Sequence, residues 1–164
     1  MNVGPLGPSV LTEDMIRDRL SRTNGAGQIT PPEGTRWRRA AVLVPLLLRE
    51  GEWNLLYIRR THTVETHRGQ VAFPGGAMDD TDATLEETAL RETYEEIGLP
   101  AESVKLLGRL PDFYTISDFL VTPVVGVIPW PFAMRLSVAE VDRAFTIPLQ
   151  WMANRDHFEE RPIV

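Results

Sequence analysis

"RETYEEIGL", residues 91–99, sets three glutamates, Glu92, Glu95 and Glu96, within five residues just ahead of Gly98. The wider stretch "ATLEETALRETYEEIG" (83–98) reads as a helix that Gly98 ends. With Glu92 set at 0°, Glu96 falls at about +40° and Glu95 at about −60°, so the three share an arc of about 100°. Ala83, Leu90, Tyr94 and Ile97 fall between about 140° and 200°, which predicts a core face opposite an acidic face.

An acidic helix face is ordinarily just a solvated one. Two details count against that here. Glu92 and Glu96 are i,i+4 neighbours of like charge, a destabilising pair. Carboxylates near a helix C-terminus also oppose the macrodipole, whereas Glu86 and Glu87, near the start, obey it. A bound hard cation resolves both conflicts. Clustered carboxylate oxygens suit Mg²⁺, Mn²⁺ or Ca²⁺, and the absence of cysteine excludes a thiolate site and disulfides. Just upstream, "FPGG" (73–76) predicts a tight glycine loop, with backbone groups near Gly75 and Gly76 free to face a ligand or metal.

Outward from this helix, the order of elements is mixed. Residues 1–10 are rich in Gly and Pro and read as loose. "LTEDMIRDRLSR" (11–22) predicts a short helix with Thr12 as N-cap, and "TNGAGQITPPEGT" (23–35) a loop. "RRAAVLVPLLLRE" (38–50) is a buried strand whose Pro45 points to a sheet edge or a bulge. "GE" (51–52) reads as a turn into a second strand, "WNLLYIRR" (53–60). "THTVETHRGQ" (61–70) is polar, and "VAFPGGAMDDTD" (71–82) is a short strand entering the glycine loop. "VKLLGRL" (104–110) and "FLVTPVVGVIP" (119–129) predict further strands, and "SVAEVDRAFTIPLQWM" (137–152) a short helix with a proline-marked exit. This order predicts an α/β (α+β) fold with helices covering a mixed sheet. The chain is expected to divide into an N-terminal helix and loop extension, residues 1–35, and one domain, residues 36–164.

Composition narrows the function classes. The 164 residues suffice for one well-packed domain. The net charge of −6 argues against a broad nucleic-acid or membrane surface, though a bound cation can reverse the sign of a local site. No apolar run approaches a membrane span, and the start lacks the pattern of a signal peptide, so a cytoplasmic protein is expected. The ending "RPIV" has no cap or polar tail, which leads to the expectation that the natural protein continues past Val164 or that this is only its ordered part.

The stretch resembles the signature of the Nudix hydrolases: Gly, five residues, Glu, seven residues, then Arg-Glu-apolar-x-Glu-Glu-x-Gly-apolar. Arg91 to Leu99 match its second half, with Thr93 in the apolar slot. Counting from Gly76, the position of the pattern's first Glu is Asp82, and eight residues, not seven, then separate it from Arg91. With "GQVAFPGG" before it, this variant resembles the coenzyme A diphosphatase branch, whose motif Arg60, His67, Gly69, Gln70, Phe73, Pro74, Gly75 and Gly76 match. Glu65 stands where that branch favours Arg, Val64 where it favours Leu and Ile58 where it favours Thr. "VTPVVG" (121–126) and "EVDRAFTIPL" (140–149) are similar to it as well. The likeness covers roughly residues 38–150.

The resemblance implies a Nudix-type α/β/α sandwich and a metal-dependent hydrolase of nucleoside diphosphates linked to another group. It implies Mg²⁺ or Mn²⁺ held by Glu92, Glu96 and Glu95, with the Gly76 carbonyl completing the site. Glu92 and Glu95 would act in catalysis, with Arg91 holding a carboxylate in place. The general base would be one of these glutamates or an acid from another loop, Asp118 or Glu140. Arg60, His67, Gln70, Phe73 and Gly75 would meet the substrate. If 53–60 is a strand, Arg59 and Arg60 point to opposite faces and only one reaches the site. Trp130 and Phe132 either stack on adenine or pack. The implied partner is a small-molecule diphosphate, coenzyme A first, with no nucleic acid or membrane partner, acting as a monomer or homodimer. The alternatives are another Nudix activity, on ADP-ribose, a dinucleotide or a nucleoside triphosphate, a non-catalytic ligand-binding module, and a solvated acidic helix.

Overall fold

A computed structural model describes residues 10–23, 34, 36–61 and 69–159. The loose start, the "RPIV" ending, most of the 23–35 loop, and the stretch with Val64, Glu65 and His67 lie outside these residues.

The helices are α1 (Glu13–Thr23), α2 (Leu85–Ile97) and α3 (Leu149–Ala153). The strands are β1 (Arg38–Arg49), β2 (Glu52–Arg60), β3 (Val71–Ala72), β4 (Gly75–Ala77), β5 (Lys105–Arg109), β6 (Phe113–Tyr114), β7 (Phe119–Val127) and β8 (Val141–Pro148). They form one sheet in the order β3-β2-β1-β7-β5, with β4 on β1, β6 on β7 and β8 on β2. β1 and β7 run parallel from Arg38↔Phe119 to Leu46↔Val127, and the other pairs are antiparallel. The sheet is therefore mixed, as expected.

β1 is apolar from Ala40 to Leu48, and both of its faces are covered as far as Leu47. Ala41, Leu43 and Leu47 join Leu85, Ala89 and Ile97 of α2 in one core. Val44 and Leu46 join Leu20 of α1 in the other, with Leu149 and Met152 of α3 packed against it. The result is a three-layer α/β/α arrangement.

Pro45 does not mark an edge, because β1 is interior. Leu43 N–H donates to Pro74 O at 2.8 Å on the β4 side, and residue 45 faces the same way two positions on. Pairing with β4 stops at Val42 and pairing with β2 starts at Leu46. Pro45 falls in the gap between two partners, where no donor is needed. The hairpin turn is Glu50–Gly51 rather than residues 51–52. Both residues are left-handed, with φ 54° and 80°, as a two-residue turn between twisted strands requires.

The expected helix over 137–152 is mostly strand. Val141–Pro148 pair with β2, with a register shift between Arg59 and Arg60. The shift turns Val141 to the α2 face while Phe145 and Ile147 pack on the other. A bulge of this kind breaks the two-residue period that a sequence reading looks for. Only Leu149–Ala153 is helical.

Candidate active site

Helix α2 carries the site. Thr84 caps its start, accepting from Glu87 N–H at 3.2 Å, while the Glu87 carboxylate accepts from Ala83 N–H at 2.7 Å. Gly98 ends it in the left-handed conformation, φ 73°. The exposed carbonyls of the last turn are met by a neighbouring segment: Arg135 N–H donates to Ile97 O at 3.0 Å and Ser137 N–H to Glu96 O at 2.9 Å.

The buried face keeps Ile97 of the predicted core residues but is rotated away from the rest. Leu85, Thr88, Ala89, Thr93, Glu96 and Ile97 are buried, whereas Tyr94 is 49% exposed and Ala83 precedes the helix. On the same angular scale these buried residues centre near about +50°, close to Glu96 itself. The acidic residues thus run from core to solvent instead of sharing one wet face. Glu96 is 1% exposed, Glu92 is half-buried, and the Glu95 side chain is 53% exposed. Thr93 fits the apolar slot because its hydroxyl donates to Ala89 O at 2.6 Å.

Strand β4 lies beneath this face. Gly75 and Gly76 are paired strand residues rather than loop, opposite Val42 and Ala41. Gly75 N–H donates to Glu96 Oε2 at 3.0 Å. A β-carbon on Gly76 would lie 2.6 Å from the Glu92 carboxyl carbon. The peptide groups alternate in direction. Pro74 O and Met78 N–H bond to β1, so the Gly76 carbonyl is turned into that ladder, while Gly75 and Ala77 are turned towards the helix.

Arg91 organises the acids. Its Nε and one terminal nitrogen donate to the two oxygens of Asp82, each at 2.9 Å. The other terminal nitrogen donates to Glu92 at 2.9 Å and Glu95 at 3.4 Å, while the one on Asp82 also donates to Ala77 O at 3.1 Å. Asp82 also accepts from Asp79 N–H at 2.9 Å and from the Thr88 hydroxyl at 3.0 Å. The shorter acid and the longer loop together keep a two-pronged pair. The Arg91 guanidinium holds the Asp82 carboxyl far below the usual carboxylate range, and Asp82 in turn raises Arg91. Sequence reading counted Asp82 as a position in the pattern and gave it no role. Its signal is that an arginine set to hold two glutamates in place still needs a dedicated partner.

Arg60 and Arg59 separate as the strand period requires. Arg60 reaches Glu96 Oε1 at 3.5 Å, while Arg59 pairs with Asp142 on the opposite face. The Gln70 carbonyl accepts from Arg60 N–H at 2.9 Å, and the Phe73 ring stacks on Tyr57 at 4.6 Å, in the core layer away from α2. Trp130 and Phe132 pack against the α2 core, so the packing reading holds for them. Glu140 is brought to the site. Its carbonyl accepts from Thr61 N–H at 2.9 Å, next to Arg60, and its charge reaches both Glu92 and Glu96. Asp118 is left-handed, φ 60°, in the turn before β7, and its carbonyl accepts from Arg38 N–H at 3.0 Å.

Burial first, then the Glu92 and Glu140 charges, push the Glu96 carboxyl up to about 8, against the pull of Gly75 N–H and Arg60. Burial also raises Glu92, with Arg91 opposing. With one close hydrogen bond and one distant cation among the described residues, this buried acid is short of positive charge. The donors are carboxylate and carbonyl oxygens, which suit a hard divalent ion. Among the described residues, no three side chains already converge as a metal cluster. Arg91 engages Glu92 and Glu95, so an ion would have to draw these carboxylates together.

No helix among the described residues is long and apolar enough to cross a membrane.

A family model, the NUDIX domain, matches residues 37–155. A relative from Cronobacter sakazakii, named "Uncharacterized Nudix hydrolase NudL", is 50% identical over 112 residues, covering 68% of this chain and 58% of its own. One of the same name from Klebsiella pneumoniae is 48% identical over 138 residues, 82% of this chain and 69% of its own. The chain thus spans between 58% and 69% of the length of these two curated relatives. The crystal structure of a NUDIX hydrolase from Alicyclobacillus acidocaldarius superposes with a TM-score of 0.58 at 26% identity, over 73% of this chain and 82% of that one. On the family match, the two relatives and the shared fold, the chain belongs to the NUDIX family, that of the Nudix hydrolases.

Proposed function

We propose that this protein hydrolyses the diphosphate of coenzyme A or its derivatives with the help of Mg²⁺ or Mn²⁺, giving 4′-phosphopantetheine and 3′-phosphoadenosine 5′-phosphate. The observation that supports a cation-dependent site is Glu96. A carboxylate 1% exposed, beside Glu92 and over a strand with no side chain at Gly76, is arranged to receive positive charge. The ion would be held by Glu92, Glu95 and Glu96. The Gly75 carbonyl, which faces the helix, is a better-directed backbone donor than that of Gly76. Such an ion supplies charge neutralisation on the diphosphate and a more acidic water.

The residues divide the remaining work. Arg91, locked on Asp82, keeps Glu92 and Glu95 from drifting apart. Glu95, the most exposed of the three, is placed to accept a proton from water, with Glu140 as the acid outside the helix that could do the same. Arg60 supplies a guanidinium for phosphate oxygens. Gln70, His67 and Phe73 belong to the motif that supports coenzyme A, and Phe73 contributes by packing.

Product identification after incubation with coenzyme A and Mn²⁺ tests the reading. Appearance of the two phosphorylated halves supports it. Cleavage of ADP-ribose about tenfold or more efficiently than coenzyme A would move the substrate to another nucleoside diphosphate derivative. Metal binding with no turnover across a diphosphate panel would favour a ligand-binding module.

A further inference from the structure

We propose that Arg60 stands in for the divalent cation at Glu96 and transfers to the ligand's phosphate oxygens when that cation binds. The inference rests on the metal-dependent diphosphate reading above. Among the described residues, Glu96 receives one close hydrogen bond, from Gly75 N–H at 3.0 Å. Arg60 is the cation paired with it among the described residues, and that contact is 3.5 Å. Such a distance is at the outer limit of a hydrogen bond.

The Arg60 Nε is buried and has no hydrogen-bond partner among the described residues. An arginine built to neutralise a carboxylate permanently uses its fork in two short parallel bonds. Arg91 does so on Asp82 in this same site, at 2.9 Å twice. Arg60 is instead a charge delivered to the right place and loosely held there.

Its backbone is fixed while its head is not. Arg60 N–H donates to Gln70 O at 2.9 Å, and Arg60 pairs with Val141 across β8. The side chain is 24% exposed, so it spans from the buried carboxylate to the open side of the site. A divalent ion at Glu96 repels a guanidinium in the same low-dielectric space. Phosphate oxygens offer that guanidinium the two-pronged acceptor that Glu96 does not. Metal and Arg60 therefore compete for Glu96, and metal binding makes Arg60 available to the ligand.

Calorimetric titration of the full chain with Mn²⁺, without substrate, tests this on wild type, Arg60→Met, Arg60→Gln and Arg60→Lys. The neutral variants are expected to bind Mn²⁺ about threefold or more tighter, with Arg60→Lys within about twofold of wild type. At saturating Mn²⁺, KM for coenzyme A rises in the neutral variants. A residue with a merely structural role would weaken Mn²⁺ binding when removed. Unchanged or weaker Mn²⁺ binding in either neutral variant that melts cooperatively overturns the exchange. A wild-type protein that binds no Mn²⁺ at millimolar concentration overturns the metal reading itself, a different result from the first.

Discussion

Glu92 lies against Gly76 with no room for a β-carbon: one built there would sit 2.6 Å from the carboxyl carbon and 2.7 and 2.8 Å from its oxygens. The glycine is required by the acid above it, not by its own backbone. This differs from Gly75, whose φ of 154° is itself unusual for a residue with a side chain.

Gly76→Ala is therefore expected to act on Glu92. The methyl group would push the carboxylate off the strand and away from Glu96. Mn²⁺-dependent hydrolysis should fall by about 10²-fold, the scale of a displaced catalytic group. The melting temperature should change little, since the Glu92 side chain can move towards solvent. Wild-type turnover in this variant would show that the close approach has no catalytic consequence.

Asp82→Asn keeps the shape of the acid and removes the charge that Arg91 grips with its fork. One of the two parallel bonds would be lost, leaving Arg91 a single bond there beside those to Ala77 O, Glu92 and Glu95. Asp82 is nearly buried, and about 1–3 kcal/mol of stability is expected to go with the pair. Activity should fall as well, because Arg91 could then follow the glutamates. Asp82→Glu should not be neutral either. The loop from Gly76 is already matched to the shorter side chain, and the longer one would push Arg91 away from Glu92. Urea melts and kcat for the two variants check this. Full activity in Asp82→Asn would leave Arg91 without its positioning role.

Much of this site was legible in the sequence, and its failures have physical causes. The helix limits, the Gly98 cap and the Thr12 cap follow from local chemistry. The separation of Arg59 from Arg60 follows from the strand period. The rotation of the helix did not, because an apolar count favours Leu90 and Tyr94 over Thr88, Thr93 and Glu96. Those three are buried through specific hydrogen bonds: Thr88 to Asp82, Thr93 to Ala89 O and Gly75 N–H to Glu96. Tertiary pairing, which no single stretch reveals, also hid strand β8. Its bulge opposite Arg59 and Arg60 scrambled the alternation.

Thr93→Val offers a clean check on that helix rotation. Among the described residues the hydroxyl bonds to a carbonyl of its own helix alone, and valine is close to threonine in size. The loss is that of one hydrogen bond within the helix, so stability is expected to fall by about 0.5–1.5 kcal/mol, with catalysis intact. Tyr94→Ala, on the exposed side, should matter as little to folding. Ile97→Ala, on the buried face, should cost about 2–5 kcal/mol. Equal destabilisation by Tyr94→Ala and Ile97→Ala would contradict the observed rotation.

The pH dependence of Glu96 can be read from both sides of the folding equilibrium. Its carboxyl sits at about 8 in the fold against an ordinary value of 4.5. A raised acid favours the folded state when protonated, so this contribution is fully present below about 4.5 and is lost as pH rises through about 8. In EDTA, the melting temperature of wild type should therefore fall relative to Glu96→Gln across that window. The gap should stop widening above it, at about 2–4 °C for each kcal/mol. Divalent metal binding must displace the same proton, so Mg²⁺ or Mn²⁺ affinity should climb with pH up to about 8 and then flatten. Glu96→Gln should lose the metal-dependent rise in melting temperature and at least about 10²-fold in kcat. Parallel melting curves for the two proteins from pH 5 to 9 would show that Glu96 is charged throughout and that its burial is matched by positive charge already present.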